Sequence, residues 1–132
     1  MTYTISKEFA FSASHVLHGL ADGHPCGRLH GHNYIVRLEL TGPLARTGFV
    51  YDYRDLDPFK QWLDDTLDHR HINNVMPESY GNPSAENMAH WMHRQALTLL
   101  DLPAGVEVAV SVSETPKTWA TYRFDSPEVP RV

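Results

Sequence analysis

The sequence predicts an α+β fold in which an antiparallel sheet packs against two helices. Four segments carry apolar side chains at every second position, which is the periodicity of a half-buried strand. Two further segments, between the second and third strands, carry apolar side chains at the spacing of a helix that is buried on one face. Strands in pairs around a pair of helices favour an antiparallel sheet. The length of 132 residues suits one domain, residues 1–132.

The first two predicted strands flank a long segment without regular periodicity. Residues 2–12 and residues 33–42 alternate apolar and polar side chains, and Gly42 followed by Pro43 ends the second strand. Residues 13–31 between them are rich in Gly, His and Pro. A segment of this length without secondary structure in a compact domain is usually functional.

Two helices are predicted next, at residues 55–68 and 83–101. Each carries a stripe of apolar side chains along one face. Pro58 is tolerated only in the first turn of a helix, so Asp55 or Asp57 is expected to cap the first helix.

The chain returns to alternating strands after the helices. Residues 105–114 alternate valines with other side chains and end before Pro116, and residues 118–125 predict a last short strand. A single domain of this kind exposes two sheet edges. Pairing with other subunits is one way to cover them.

Composition excludes several classes of protein. The net charge is -5 and no cluster of Lys and Arg is present, which argues against a nucleic-acid partner. No apolar run approaches the roughly 20 residues of a membrane helix, and the first residues do not resemble a signal peptide. A cytoplasmic location is therefore expected. Cys26 is the one cysteine, so an intrachain disulfide is excluded.

A His-Gly-His string is the sharpest signal in the irregular segment. In an extended chain, His30 and His32 point to the same side, so both imidazoles can reach one metal ion. His15, at the end of the first strand, is a third ligand if the first two strands are neighbours. Three histidines with an open fourth position are typical of a catalytic zinc site.

Other histidines leave alternatives open. A lone His-x-His pair is more often unrelated to a metal, and His18 or His24 could take the place of His15. His90 and His93 lie one turn apart on the second predicted helix, a spacing that can hold a metal. With no third ligand nearby, solvation on the helix surface is the favoured interpretation there.

Cys26 lies in the same segment as the histidines. A free cysteine is usually a small buried hydrophobe. The flanking Pro25, Gly27 and Arg28 indicate a loop instead, and a nearby zinc ion together with Arg28 would favour the thiolate. A thiolate is a competent base or nucleophile at neutral pH.

Two acidic residues are candidates for proton transfer and for ring recognition. Asp68 can orient the imidazole of His69, although local sequence favours a helix end stabilised by basic side chains. Glu114, at the end of the third strand, can accept two parallel N–H bonds from a ring such as that of a pterin. The alternative for Glu114 is an ordinary solvated carboxylate.

Taken in order, these residues resemble the 6-pyruvoyl-tetrahydropterin synthase family across nearly the whole chain. The motifs that carry the resemblance are His15, Cys26-x-x-x-His30-Gly31-His32-Asn33-Tyr34, Gly48–Tyr53, Leu67-Asp68-His69, Ile72-Asn73, Asn82–Asn87 and Glu114-Thr115-Pro116. The resemblance implies the tunnelling fold (T-fold), with a four-stranded antiparallel sheet and two helices on one face. It also implies a barrel of three chains, a homohexamer of two such trimers, and active sites between subunits.

The resemblance also implies a role for each matching residue. The implied zinc ligands are His15, His30 and His32; the implied base is Cys26; the implied proton-transfer dyad is Asp68 with His69; and the implied pterin anchor is Glu114 with Thr115. The implied substrate is 7,8-dihydroneopterin triphosphate, and no nicotinamide or flavin is required. A triphosphate needs cations or N–H donors, for which Arg28, Lys117 and His24 are candidates.

The spacing of the cysteine motif bears on the branch of the family. Three residues separate Cys26 from His30, and the string Cys-Gly-Arg-Leu-His-Gly-His is similar to the 6-carboxytetrahydropterin synthases of queuosine biosynthesis. These release acetaldehyde and triphosphate. The segment 114–119 lacks the cysteine found in some members of that branch. The alternatives are a pyruvoyl-type synthase, which keeps the side chain, and a non-catalytic oligomer that binds pterin or metal.

Overall fold

A computed structural model of the chain describes residues 1–123. One sheet and two helices longer than a single turn make up this part of the chain. Their bounds are β1 Tyr3–His15, β2 His30–Gly42, α1 Asp57–Thr66, β3 Arg70–His71, α2 Ala85–Leu99, β4 Glu107–Ser113 and β5 Ala120–Arg123. Residues 124 and 125, predicted as the end of the last strand, lie outside the described residues.

The sheet has five strands in the order β3-β1-β2-β4-β5. The four longer strands are antiparallel neighbours, as the alternating patterns predict. The fifth, β3, pairs in parallel with β1 through only two residues, with Arg70 opposite Ala13. The expectation of four strands was wrong on this point, because two residues are too few to show a period-two pattern in the sequence.

β1 and β2 are longer than their alternating patterns indicate. β1 extends to His15 and β2 begins at His30, so the irregular segment is shorter at both ends than predicted. The antiparallel register places His15 directly opposite His30 and Ala13 opposite His32. The irregular part is a loop over residues 16–29, which leaves one end of this strand pair and returns to it.

Both helices pack on the same face of the sheet. The face includes four side chains of β2 that are at most 1% exposed, namely Tyr34, Val36, Leu38 and Leu40. Phe59 of α1 meets Phe9 edge to face at 5.4 Å between ring centroids. Because side chains on a strand alternate, His30 and His32 lie on this helix-covered face, at the end of the core.

The start of α1 differs from the expected cap. Leu56 occupies the N-cap without a side-chain hydrogen bond, and Asp57 is the first helical residue. Pro58 lies in the first turn, as predicted. The capping carboxylate belongs to Asp52, which accepts a 2.9 Å bond from the backbone N–H of Arg54 and starts a short 3-10 turn before the helix.

No helix within residues 1–123 is long and apolar enough to cross a membrane.

Candidate metal centre and active site

Strand pairing brings three histidine side chains together at the end of β1 and β2. One ring nitrogen from each of His15, His30 and His32 lies within 4.8 Å of the others. The Nε2 atoms of His15 and His30 are 2.9 Å apart. The spacing in the sequence predicted this convergence, and it depends on the antiparallel register of the two strands.

Backbone carbonyls fix the tautomers of two of these rings. His15 Nδ1 lies 2.7 Å from the carbonyl oxygen of Pro83, and His30 Nδ1 lies 2.6 Å from that of Arg28. A carbonyl only accepts, so each Nδ1 carries the hydrogen and each neutral ring presents a lone pair at Nε2. Two lone pairs facing each other at 2.9 Å repel, unless a cation lies between them. Ligand histidines in metal sites are oriented by bonds of this kind.

The third ring leaves a buried nitrogen unsatisfied. Among the described residues, Nε2 of His32 is the buried side-chain nitrogen or oxygen that has no hydrogen-bond partner. Burial of a polar atom without a partner costs free energy of folding, unless the atom coordinates an ion. Burial is also the main cause that lowers the pKa of His15 and of His32, which favours the neutral, ligating form. The three imidazoles therefore fit a divalent metal ion.

The other histidines take different roles. His18 and His24 do not belong to the converging group, so the alternative in which one of them replaces His15 was wrong. His93 is only 3% exposed, and its Nε2 lies 3.2 Å from the carbonyl of Val108. His90 stacks on Tyr122 at 4.3 Å. The interpretation as solvated helix-surface residues was therefore wrong for His93, whereas His90 remains partly exposed beside Tyr122.

Cys26 lies in a short 3-10 turn, Pro25–Gly27, and not in the core. It is partly buried. Its carbonyl accepts a 3.1 Å bond from the backbone N–H of Leu17, two residues after His15. The loop interpretation is confirmed, and the turn is bonded to the strand end that carries the first histidine of the triad.

Asp68 and His69 form a hydrogen-bonded pair beside β1. Nδ1 of His69 lies 3.0 Å from Oδ2 of Asp68, and Oδ1 of Asp68 accepts a 2.9 Å bond from the backbone N–H of Ser12. These two hydrogen bonds, chiefly the one from Ser12, lower the pKa of Asp68. The side chain of His69 is 82% exposed. The pair is thus a fixed carboxylate holding an accessible imidazole.

The backbone at this pair is unusual. His69 has φ +59, in a region that residues other than glycine rarely adopt. Its backbone N–H donates a 2.6 Å bond to the carbonyl of Ser12, which holds the conformation in place. Helix α1 already ends at Thr66 and has no basic residue in its last turn. The interpretation of His69 as part of a stabilised helix end was therefore wrong.

One member of the histidine triad, His32, and one member of the Asp68–His69 pair, His69, line the same open groove of about 510 Å³. Its lining includes His32 from β2, His69, and His71 of β3. In it, the hydroxyl of Ser14 lies 2.9 Å from Nδ1 of His71. Along β1, Ser12 and His15 are three residues apart, which is about 10 Å in an extended strand.

Glu114 lies next to the triad. Its Oε2 is 3.7 Å from Nε2 of His32, too long for a hydrogen bond, and its side chain is 25% exposed. It is therefore not an ordinary solvated residue. The backbone after it is pinned, because the hydroxyl of Ser113 donates to the carbonyl of Thr115.

The candidate phosphate contacts fall in two places. Arg28 and His24 line a polar pocket of about 340 Å³ within the loop. Lys117 lies in the turn between β4 and β5 and is exposed. The assignment of these three residues to a triphosphate stays a prediction.

Two asparagines in the site region were not predicted to act there. The side-chain amide of Asn73 accepts from the N–H of Val16 and donates to its carbonyl, both at 2.9 Å. The side-chain amide of Asn82 likewise accepts from the N–H of His18 at 2.9 Å and donates to its carbonyl at 2.7 Å. The only signal in the sequence was that both asparagines belong to motifs shared with the family. Neither lies within an apolar pattern of a predicted strand or helix, so periodicity did not indicate a role for them.

Comparison with known proteins places this geometry in a family. A family model described as 6-pyruvoyl tetrahydropterin synthase matches residues 4–125. A protein of Caenorhabditis elegans described as a putative 6-pyruvoyl tetrahydrobiopterin synthase is 32% identical over 132 residues, covering 91% of this chain and 94% of its own length.

Two further comparisons agree with that assignment. A 6-carboxy-5,6,7,8-tetrahydropterin synthase of Haemophilus influenzae is 39% identical over 77 residues, which is 53% of this chain and 52% of that protein. The solved structure of Caenorhabditis elegans 6-pyruvoyl tetrahydropterin synthase has a TM-score of 0.82 at 29% identity, covering 95% of this chain and 97% of that one. The chain described here belongs to the 6-pyruvoyl tetrahydropterin synthase family.

Proposed function

We propose that this protein is a zinc-dependent lyase that acts on 7,8-dihydroneopterin triphosphate. The products are 6-carboxy-5,6,7,8-tetrahydropterin, acetaldehyde and triphosphate, and one water molecule is consumed. The reaction belongs to queuosine (7-deazaguanine) biosynthesis and takes place in the cytoplasm. The observation that carries the proposal is the convergence of three imidazoles, two of them with Nδ1 facing a backbone carbonyl, on one point.

Zinc is the metal that we propose for this centre. His15, His30 and His32 would hold it through Nε2, and three imidazoles with an open position match a catalytic zinc site. When bound, zinc acts as a Lewis acid toward oxygen atoms of a substrate.

The remaining residues supply proton transfer and recognition. Cys26 is proposed as the base that removes a proton from the substrate side chain, and His69, held by Asp68, handles the proton on the opposite side. Glu114, beside the triad, would hold the pyrimidine edge of the pterin with two parallel hydrogen bonds. Thr115 follows directly and would line the same end of the ring.

The Cys-Gly-Arg-Leu-His-Gly-His string supports the carboxy branch over the pyruvoyl branch. The relatives include proteins described by either name, so the two reactions are the main competing candidates. Both reactions release triphosphate, but the pyruvoyl reaction retains the three-carbon side chain on the pterin and releases no acetaldehyde.

We also propose that the active protein is a homohexamer with sites between subunits. Within one chain the Asp68–His69 pair borders β1 at Ser12, about 10 Å along the strand from His15. A neighbouring chain that brings its own pair against this triad would shorten that separation. The open edges of the sheet are the surfaces on which such an assembly can form.

Product analysis tests the proposed reaction. Zinc-loaded protein incubated with 7,8-dihydroneopterin triphosphate is expected to release acetaldehyde together with triphosphate. Triphosphate release with the side chain retained would replace the carboxy reaction by the pyruvoyl one. Absence of any turnover would favour the non-catalytic binding oligomer.

Cys26→Ala tests the base within the same assay. Loss of a general base typically lowers turnover by about 10²–10⁴-fold, and we expect a loss in this range with zinc content unchanged. Full turnover in Cys26→Ala would rule out the role assigned to the thiol.

A further inference from the structure

A histidine side chain caps the turn that holds Cys26. Nδ1 of His24 accepts a 3.0 Å hydrogen bond from the backbone N–H of Cys26, at the start of the 3-10 turn Pro25–Gly27. The backbone of His24 is extended, as is usual at an N-cap, and Pro25 sits in the first turn, where its missing N–H is not needed. To accept this bond, the ring must be neutral and must carry its hydrogen on Nε2.

Hydrogen bonds to two backbone carbonyls, one of Cys26 and one of Arg28, join the capped turn to the strand ends that carry the triad. The carbonyl of Cys26 accepts from the N–H of Leu17 at 3.1 Å, close after His15. The carbonyl of Arg28, which follows the turn, accepts from Nδ1 of His30 at 2.6 Å. The N–H of Cys26 is bonded to a side chain instead, and that side chain is His24.

We propose that His24 is a positioning residue for Cys26. Its neutral ring fixes the N–H of Cys26 and thereby the direction in which the thiol leaves the turn. This inference rests on the proposed function, in which Cys26 is the base, and it assigns His24 to the cysteine rather than to the metal or the triphosphate. Small displacements matter, because about 1 Å of misplacement can cost about 10²-fold in rate.

The test compares two substitutions of His24 with a matched control. His24→Ala removes the cap, whereas His24→Asn supplies an oxygen that can accept the same N–H. Leu20→Ala removes an exposed side chain from the same loop. For each zinc-loaded variant, kcat, KM and the rate of thiol alkylation by iodoacetamide are measured. Cys26 is the one cysteine, so alkylation reports on this thiol alone.

The expected pattern separates positioning from general damage. His24→Ala lowers kcat about fivefold, the effect of losing a capping interaction of ordinary strength, with KM unchanged and an altered alkylation rate. His24→Asn restores kcat and the alkylation rate to within about twofold, and Leu20→Ala matches the wild type. Wild-type kcat and alkylation in His24→Ala, or no restoration by His24→Asn, would overturn the inference.

Two further readouts keep the test decisive. Alkylation does not depend on turnover, so it still tests the cap if Cys26→Ala proves fully active and the proposed base role fails. If His24→Ala does not fold, the ¹⁵N chemical shifts of the His24 ring in the wild-type protein show which ring nitrogen carries the hydrogen, and this tests the cap. The Nε2–H tautomer is expected, and the Nδ1–H tautomer contradicts the cap.

Discussion

The Nδ1 atoms of His15 and His30 control what their rings can bind. Because each faces a backbone carbonyl, each ring directs a lone pair toward the other. Spacing in the sequence identifies which histidines converge. The carbonyls that set the tautomers come from Pro83, 68 residues away from His15, and from Arg28 in the loop. The Pro83 carbonyl reaches His15 only through tertiary packing, so local sequence cannot reveal it, whereas Arg28 is a local partner two residues before His30.

A buried histidine outside the site should make folding sensitive to acid. Burial, the main cause, lowers the pKa of His93, so below pH ~6.5 the unfolded chain binds a proton that the folded chain does not. The stability of the folded state therefore falls as the pH drops through this range. In urea unfolding at pH 7.5 and 5.5, the wild type should lose more free energy of unfolding than His93→Gln. An equal loss in both proteins would contradict this role of His93.

At the scale of elements, the start of the loop between β1 and β2 is held by side chains from later segments. Asn73 binds both backbone groups of Val16, and Asn82 binds both of His18. These amides replace the ladder bonds that end with β1. They fix where the chain leaves the strand, immediately after the first histidine of the triad.

Removal of one of these amides should destabilise the protein. Asn73→Ala deletes two hydrogen bonds to partly buried backbone groups, at about 1 kcal/mol each, so we expect a loss of about 2 kcal/mol in the free energy of unfolding. Asn74→Ala, at the exposed neighbouring asparagine, is the matched control and should change it by less than about 0.5 kcal/mol. An equal loss in the free energy of unfolding in the two variants would show that the amide of Asn73 does not hold the loop in place.

Much of the element structure follows from periodicity, and the exceptions have local physical reasons. The apolar stripes of both helices, and the alternation of apolar and polar side chains in the segments of β2 and β4, predict the elements that form the core. The strand ends at His15 and His30 are set by pairing with each other, which no single segment shows. β3 exists because the chain after Asp68 passes beside β1, and its two residues carry no pattern.

At the scale of the whole molecule, the described part of the chain leaves both sheet edges open. β3 covers two residues of β1, and β5 has four residues. The groove lined by His32 and His69 is also open. Assembly through these surfaces would complete the site, and six chains of 15.0 kDa would give a particle of about 90 kDa by light scattering.

A mixture of two inactive variants tests whether sites are shared between subunits. Cys26→Ala and Asp68→Asn each disable one of the proposed components. If a site takes its thiol from one chain and its Asp68–His69 pair from another, random co-assembly of equal amounts restores about a quarter of wild-type activity. Each variant mixed with itself is the control. No recovery, in mixed hexamers shown to have formed, would place both components in the same chain.

Metal analysis of the purified protein tests the central claim most directly. The three converging imidazoles predict about one zinc ion per chain in the wild type. His30→Ala should bring the zinc content close to zero with the far-UV circular dichroism unchanged, while His18→Ala, in the adjoining loop, should retain the metal. A wild-type protein that binds no zinc when supplied with it, or a His30→Ala variant with undiminished zinc content, would contradict the account.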